Sequence, residues 1–567
     1  MIRFINDCSQ FLLNEELKQL RKRREVDEKV DDMPSHAEYD IAVIGLGPVG
    51  CTAAILLAEA GLRVVAVERD EDVYALPRAV NLDGEVIRAF QGVGRGQTVQ
   101  DLMQSVRPGD RAGFANSRRE WLFGSEAKRV GRNGWQPANM FDQPEFEAYL
   151  RKEAIRHPNV TAHIGAEMLG AQQNAQLVDL HYARPDGTEA HTTARYLIAC
   201  DGASSGVRKS LDIGWVDLGY DHHWLVVDVI VSEGHTLDNS TVQVCDPDRI
   251  QTYVATKDPF RRWEFKLLPD ETPEDMLAPE KIMALIDPWT PRDTYEIRRA
   301  AVYQFHAANA DRWRDGRIFI AGDAAHQTPP FLGQGMNTGM RDVINLAWKL
   351  PIVVGGVATE SLLDTYFEER AAHAHDLVDW AVSIGRLMEH IAEQERCARE
   401  GLDPPDTPPA LQSAGYGQGR EQPPIRGGVV MTDQVSDTGF TGYLLSQPLV
   451  RTHTKDADDT DIRLDELMGN GFALLVAEGA HPTWSAASEK ILRRLNVQVV
   501  RLSDLSLVSG RFDGVFELHE CALVRPDRII FGHNTEQVSP DQLIHSLAEK
   551  LCLAAPIDNH HSARQTV

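Results

Sequence analysis

The chain has 567 residues, enough for about three to five domains at roughly 100–200 residues each, and for a large core that needs no disulfide or metal staple. Its 58 basic and 84 acidic residues give a formal charge of −26, which argues against nucleic acid or anionic lipid as a partner. Charged residues at 25% and hydrophobic ones at 43% suit a folded soluble protein, and seven scattered cysteines without a Cys-x-x-Cys read as reduced thiols of a cytoplasmic protein, with no metal site implied.

Residues 1–38 form a tail. Phe4, Ile5, Phe11, Leu12, Leu17 and Leu20 have loosely helical spacing, and Lys18 to Arg24 is a basic run. The apolar part is too short and too broken for a signal peptide, and no small-residue cleavage site follows. A frayed, solvated helix is the expectation. A membrane-surface helix, or an upstream extension with Met33 as the natural start, stays open.

Ile41 to Ala58 runs without a charge for eighteen residues, near the length of a membrane span. Gly45, Gly47, Pro48 and Gly50 interrupt it, so a buried strand, a tight turn and a buried helix account for it better, and no span is expected. Tyr39 to Gly45 is the strand. Val49, Ala53, Ala54, Leu57 and Ala58 carry the helix, which Gly61 ends; Leu62 to Val67 is a second strand closed by Glu68. Gly45 permits the turn, Gly47 lets backbone approach a pyrophosphate, and Gly50 lets helix lie close to strand. The helix N-terminus offers free N–H groups to phosphates, and Glu68 can accept from a ribose diol. Together they predict a dinucleotide site, with Pro48 and Arg69 in the same set.

Tyr196 to Cys200 is a buried strand ending in the polar turn Asp201-Gly202. Between this turn and the next such motif, Trp224 to Val231, Thr252 to Thr256, Arg262 to Leu268 and Ala300 to Phe305 read as strands of a mostly antiparallel sheet. Arg317 to Ala321 is then a strand ending in Gly322-Asp323, followed by Pro329-Pro330, by Gly333-Gln-Gly335-Met336-Asn337 and by a helix through Arg341, Asn345, Trp348 and Lys349. Asp323, at a strand end, can accept from a ribitol or ribose hydroxyl, and the glycines place N–H groups where an electron-rich ring edge would sit. Six prolines and six glycines between 401 and 428 read as a linker. Beyond Val429, Gly471 to Val476, Ser485 to Leu495, Val497 to Leu502 and a hairpin from Cys521 to Gly532 form a further α/β unit.

The three motifs, in this order and spacing, resemble the class A flavoprotein monooxygenases, the FAD-dependent aromatic hydroxylases. The likeness runs from about Tyr39 to Leu387. Trp224 to Asp228, Arg261 to Phe265 and Leu363 to Arg370 look most like the branch of 3-(3-hydroxyphenyl)propionate and phenol hydroxylases. The resemblance implies an α/β fold: a Rossmann-like FAD-binding domain (39–215 and 306–400), an inserted substrate domain (216–305), and a thioredoxin-like C-terminal domain (429–567) without redox exchange, there for packing or dimer contacts. A homodimer stays open.

By position, Gly45, Gly47, Gly50 and Glu68 look like the ADP-binding set, Arg78 and Gln143 like flavin-contacting residues, Asp201 and Gly202 like the motif tied to FAD and the pyridine nucleotide, and Asp323 like the ribityl ligand. Gly333 to Asn337 would line the ring, with Gly322, Pro330 and Met336 beside it; Met336 replaces a tyrosine of the best-known members, which puts the substrate in doubt.

The family's chemistry takes hydride from NADH or NADPH and forms a C4a-hydroperoxide with O2. That oxidant attacks a small aromatic substrate, and water must be kept out. A phenol has a pKa near 10, so a group that helps remove its proton is wanted; Tyr253, Tyr303 and His306 are the candidates. Arg262, Pro329 and Phe331 are candidates for holding the substrate; Arg249 and Arg261 would also suit a carboxylate. The plainer alternative for each is packing or a solvated edge, and for His326 a structural hydrogen bond. The expected activity is ortho-hydroxylation of a phenolic acid. Alternatives are tailoring of a larger polyphenol, or a non-catalytic FAD sensor.

Overall fold

The apolar run Tyr39–Ile44 is an interior strand of a parallel sheet, paired with Val64–Glu68 on one side and Glu189–Ala199 on the other. Val160–Ile164 and Ile318–Ile320 extend the sheet in parallel, one at each side. The computed structural model describes residues 36–126, 131–412, 422–452 and 461–555. The reading of the tail therefore falls outside the described residues as far as residue 35, as does that of the Pro/Gly stretch between 413 and 421.

Helix Pro48–Glu59 explains the long stretch without charge. It packs between the parallel sheet and helices Gln143–Arg156 and Gly335–Val354, so residues on nearly every side of it are buried. Such a helix needs no polar face. Among the described residues no helix is long and apolar enough to cross a membrane.

The second sheet has eight strands, in the order His326–Gln327, Tyr295–Ala310, Trp215–Val231, Phe260–Lys266, Gln251–Ala255, Thr241–Val244, Arg111–Ala115, Trp121–Glu126. It differs from the sequence reading in two ways. Two strands are far longer than Trp224 to Val231 and Ala300 to Phe305 suggested: they have 17 and 16 residues and run as one ribbon out of the cofactor unit. Two more come from 111–126, ahead of the predicted insertion, and join through a parallel pairing of Arg111–Ala115 with Thr241–Val244. Helices Pro273–Met276 and Pro279–Ile286 cover one side, where Leu225, Val227, Tyr253, Trp263 and Phe265 form a separate core with Met276, Ile282 and Ile286. The other side faces the cofactor unit and the 36-residue helix Thr365–Glu400.

The C-terminal unit has a four-stranded sheet in the order Gln498–Arg501, Ala473–Val476, Cys521–Val524, Ile530–His533, with helices Ala486–Arg494 and Pro540–Lys550. Buried ion pairs dock it. Arg525 reaches Glu369 at 2.7 Å, Lys349 lies 3.0 Å from the same carboxylate, and Asp465 bridges Arg88 and Arg528. The segment before it is no free linker throughout. Within the predicted linker 401–428 Ile425 is buried, and just beyond it Val429 N–H donates to Glu369.

Candidate cofactor and substrate site

Strand Tyr39–Ile44 ends at Gly45, whose φ of +88° lets the chain turn, and whose N–H donates to Val67 O at 2.8 Å. A Cβ on Gly50 would stand 1.8 Å from Gly45 O, so only glycine admits the helix this close to the strand. Gly47 has open space beyond it, and no side chain caps the helix that starts at Pro48. The free N–H groups of that first turn suit a phosphate. Glu68 stands beside them: its carboxylate accepts from Leu46 N–H at 2.5 Å and Asp70 N–H at 2.8 Å, with Arg151 at 3.9 Å. Each carboxylate oxygen keeps a second lone pair for a ribose hydroxyl. Arg69 turns outward, its side chain 73% exposed beside Asp70.

The second end of the site is built around Asp342, which the sequence reading passed over. This fully buried carboxylate accepts from Gly322 N–H at 3.0 Å, His326 Nε2 at 2.9 Å and Arg370 Nε at 3.0 Å. It fixes the turn Gly322–Ala324, leaving Asp323 exposed at the strand end with no hydrogen bond among the described residues. His326 is thus a structural hydrogen bonder. Asp201 accepts from Val207 N–H at 3.1 Å through one oxygen, while its other oxygen is buried without a partner; Gly202 has φ of +79°.

Pro330–Leu332 is a single helical turn, Gly333 follows at φ of +62°, and Gly335 faces open space. Asn337 ties this loop down: its amide accepts from Asp83 N–H and donates to Asn81 O and Gly333 O. Met336 is half-buried against the core. Gln143 likewise supports a loop. Its Oε1 accepts from Arg78 N–H at 2.9 Å and Ala79 N–H at 2.7 Å, which sets out the exposed Arg78. Open backbone at Gly47 and Gly335, an uncapped helix start, the unpartnered oxygen of Asp201 and the free carboxylate of Asp323 fit an elongated dinucleotide carrying a ring at its far end.

The family described as an FAD binding domain matches residues 38–381, and an HcaD C-terminal domain matches 442–550. The chain belongs to the FAD-dependent aromatic hydroxylases. It is 31% identical, over 91% of its length and 95% of the relative's, to the 3-(3-hydroxy-phenyl)propionate/3-hydroxycinnamic acid hydroxylase of Klebsiella pneumoniae, and 30% identical over the same shares to that of Escherichia coli. Aklavinone-11 hydroxylase, solved with FAD and aklavinone, superposes with a TM-score of 0.73 at 26% identity, over 91% of this chain and all of that one. The protein is a flavin-dependent monooxygenase, and its cofactor is FAD.

In this hydroxylase the second, eight-stranded sheet decides which predicted substrate residues can face the FAD-binding unit. Tyr253 cannot. Strand alternation turns it to the covered side, where its ring stacks on Trp289 at 5.2 Å and its hydroxyl donates to Asp238 O. His306 also points away: it is exposed, with Nδ1 3.6 Å from Asp221. Tyr303 lies opposite Trp224 on the facing side, its ring parallel to Phe305 and under Arg299. Arg262 faces the cofactor but is not a free clamp. It binds Asp228 at 2.7 and 3.1 Å and donates to Arg78 O at 2.6 Å and Pro77 O at 3.0 Å. Arg249 and Arg261 pair with Glu271 and Asp258.

Pro329 and Phe331 are buried, and Phe331 meets Tyr220 and Trp224 edge-on at 5.6 and 5.2 Å. Val378, Val382, Leu387 and Met388 of the long helix close this apolar cluster. Tyr220, Trp224 and Glu264 were not singled out from sequence as site residues. Their signal is the two-residue alternation of Trp224-Leu-Val226-Val-Asp228 against Arg262-Trp-Glu264 on paired strands. Burial pushes the Glu264 carboxyl up to about 7 against the pull of Arg262.

Proposed function

We propose that this hydroxylase uses NAD(P)H and O2 to place a hydroxyl group ortho to an existing one on a phenolic ring, as in the catabolism of 3-(3-hydroxyphenyl)propionate, the substrate in the names of its relatives. The observation that carries this reading is the contact of Phe331, in the loop of the ring-binding glycines, with Tyr220 and Trp224 of the second sheet. An apolar aromatic wall of this kind suits a flat aromatic substrate and the exclusion of water. FAD, when bound and reduced, supplies the activated oxygen. The chain's own residues do the rest: the glycine turns and Asp323 hold the cofactor, Arg262 fixes the Arg78 loop, and the aromatic cluster orients the substrate.

One observation favours a second reading, a larger uncharged polyphenol. The arginine expected to hold a carboxylate, Arg262, already binds Asp228, and the structural relative named above is complexed with aklavinone. The C-terminal unit is read as thioredoxin-like: taken in chain order its four strands lie 2-1-3-4, with a helix after the first and the last.

The test is substrate-stimulated NAD(P)H oxidation by the FAD-loaded protein, with product identification, across phenolic acids, simple phenols and polycyclic phenols. Stimulation by phenolic acids supports the first reading, and stimulation by polycyclic phenols alone the second. No stimulation by any of them sinks both.

A further inference from the structure

Glu264 belongs to strand Phe260–Lys266 and faces the cofactor unit. Arg262, two residues before it, reaches the carbonyls of Pro77 and Arg78, whereas Trp263 and Phe265 enter the opposite core. Its cross-strand neighbours are Val226 and Thr252. It therefore lies between two clusters. On one side Arg262, Asp228 and Arg299 grip the loop at Pro77; on the other Tyr220 and Trp224 meet Phe331.

The residue is 5% exposed, and among the described residues no hydrogen bond or ion pair engages its carboxyl. Arg262 is turned to Asp228 and the loop carbonyls, and Thr252 donates its hydroxyl to Gln243. A carboxyl this little exposed and without a hydrogen-bond partner is costly to ionise, and a polar ligand group beside it would lower that cost. It borders Tyr220, on whose hydroxyl its charge acts, and through Tyr220 the aromatic cluster at Phe331.

We propose that Glu264 receives the ring hydroxyl of the substrate, accepting its hydrogen bond and then its proton as the ring is hydroxylated. This rests on the hydroxylase reading above. The proton passes from phenol oxygen to carboxylate, leaving a carboxylic acid and a phenolate. The phenolate's electron density raises the nucleophilicity of the adjacent ring carbon. The charged groups acting on Glu264 are Arg262 and Asp228, and Glu264 acts in turn on Tyr220. Burial holds the carboxyl near 7, which leaves an acceptor available at and above neutral pH.

The test compares wild type and Glu264→Gln as FAD-loaded holoenzymes on 3-methylphenol, 3-(3-hydroxyphenyl)propionate and 2-naphthol, each beside a ring-fluorinated counterpart of lower hydroxyl pKa. Glutamine keeps the shape and cannot take the proton. The expected result is a loss in kcat of about 100-fold or more on the parent phenols, with most of the rate regained on fluorinated ones already ionised at the assay pH. Flavin content and unfolding midpoint stay at wild-type values, and Glu264→Asp, which keeps a carboxyl, turns over the parent phenols faster than Glu264→Gln. A Glu264→Gln rate within about threefold of wild type, or an equal loss on parent and fluorinated phenols, overturns the proposal. A wild-type holoenzyme that hydroxylates none of the six compounds overturns the reading of its substrate as a small phenol and this proposal with it.

Discussion

Arg262 donates to both carboxylate oxygens of Asp228, at 2.7 and 3.1 Å, in a buried pair that also takes in the carbonyls of Pro77 and Arg78. The second sheet and the Arg78 loop are therefore coupled through one guanidinium, whose planar fork lysine cannot copy. Removing it leaves Asp228 buried with, among the described residues, Arg299 alone at 3.4 Å.

Arg262→Ala is expected to cost about 3 kcal/mol of stability, the low end for breaking a buried pair, and to weaken FAD binding. Denaturant unfolding and a flavin titration measure the two effects. A variant that only raises the KM of an acidic substrate, with stability unchanged, restores the role of carboxylate clamp.

Asp323→Ala is expected to yield protein without flavin, because the neighbouring carboxylate of Asp342 is buried and already accepts from Gly322, His326 and Arg370. The visible absorbance of the purified protein, per chain, reads this directly. Stoichiometric FAD in the variant contradicts the assignment.

Tyr253→Phe and His306→Ala are expected to leave kcat and KM within about twofold of wild type. Tyr253→Phe loses only the hydrogen bond to Asp238 O, worth about 1 kcal/mol of stability. Steady-state kinetics on any accepted phenol decides; a loss of turnover of about 100-fold in either variant would bring that residue back to the ring.

Glu369 gives a pH dependence. Burial raises its carboxyl, but Arg525 and Lys349 outweigh burial and hold it down at about 2, below its ordinary 4.5. A carboxyl whose folded pKa is depressed stabilises the fold above its unfolded pKa and loses that contribution as pH falls through the folded value. Stability should therefore fall between about pH 4.5 and 2, and Glu369→Gln should flatten that limb while lowering stability at neutral pH. Unfolding midpoints across the range check this. An unchanged slope in the variant means that other carboxyls set the acid limit.

The cofactor end of the site was legible in sequence because its requirements are local. Gly45 needs a positive φ and Gly50 a missing Cβ, and both follow from a strand and a helix adjacent in the chain. The substrate end was not. Whether Tyr253 or its neighbour Thr252 faces the cofactor depends on which side of the sheet the helices at 273–286 cover, and no spacing within the strand states that. Strands Arg111–Ala115 and Trp121–Glu126 join a sheet whose other members begin about a hundred residues later, and Leu122 and Phe123 stay exposed, so no core pattern marked them. Asp342 read as one more polar residue on a helix. Only the turn at Gly322 reveals what it holds.

Helix Thr365–Glu400 has a last consequence. Near its start Glu369 meets Arg525 of the C-terminal unit, and further along Val378, Val382 and Met388 wall the aromatic cluster. Severing the chain after the Pro/Gly stretch would strip Arg525 from Glu369 and leave, among the described residues, Lys349 as its cationic partner, on the helix that walls the aromatic cluster. A shortened chain is therefore expected to lose stability at this helix, although the residues removed lie far in sequence from the glycine turns.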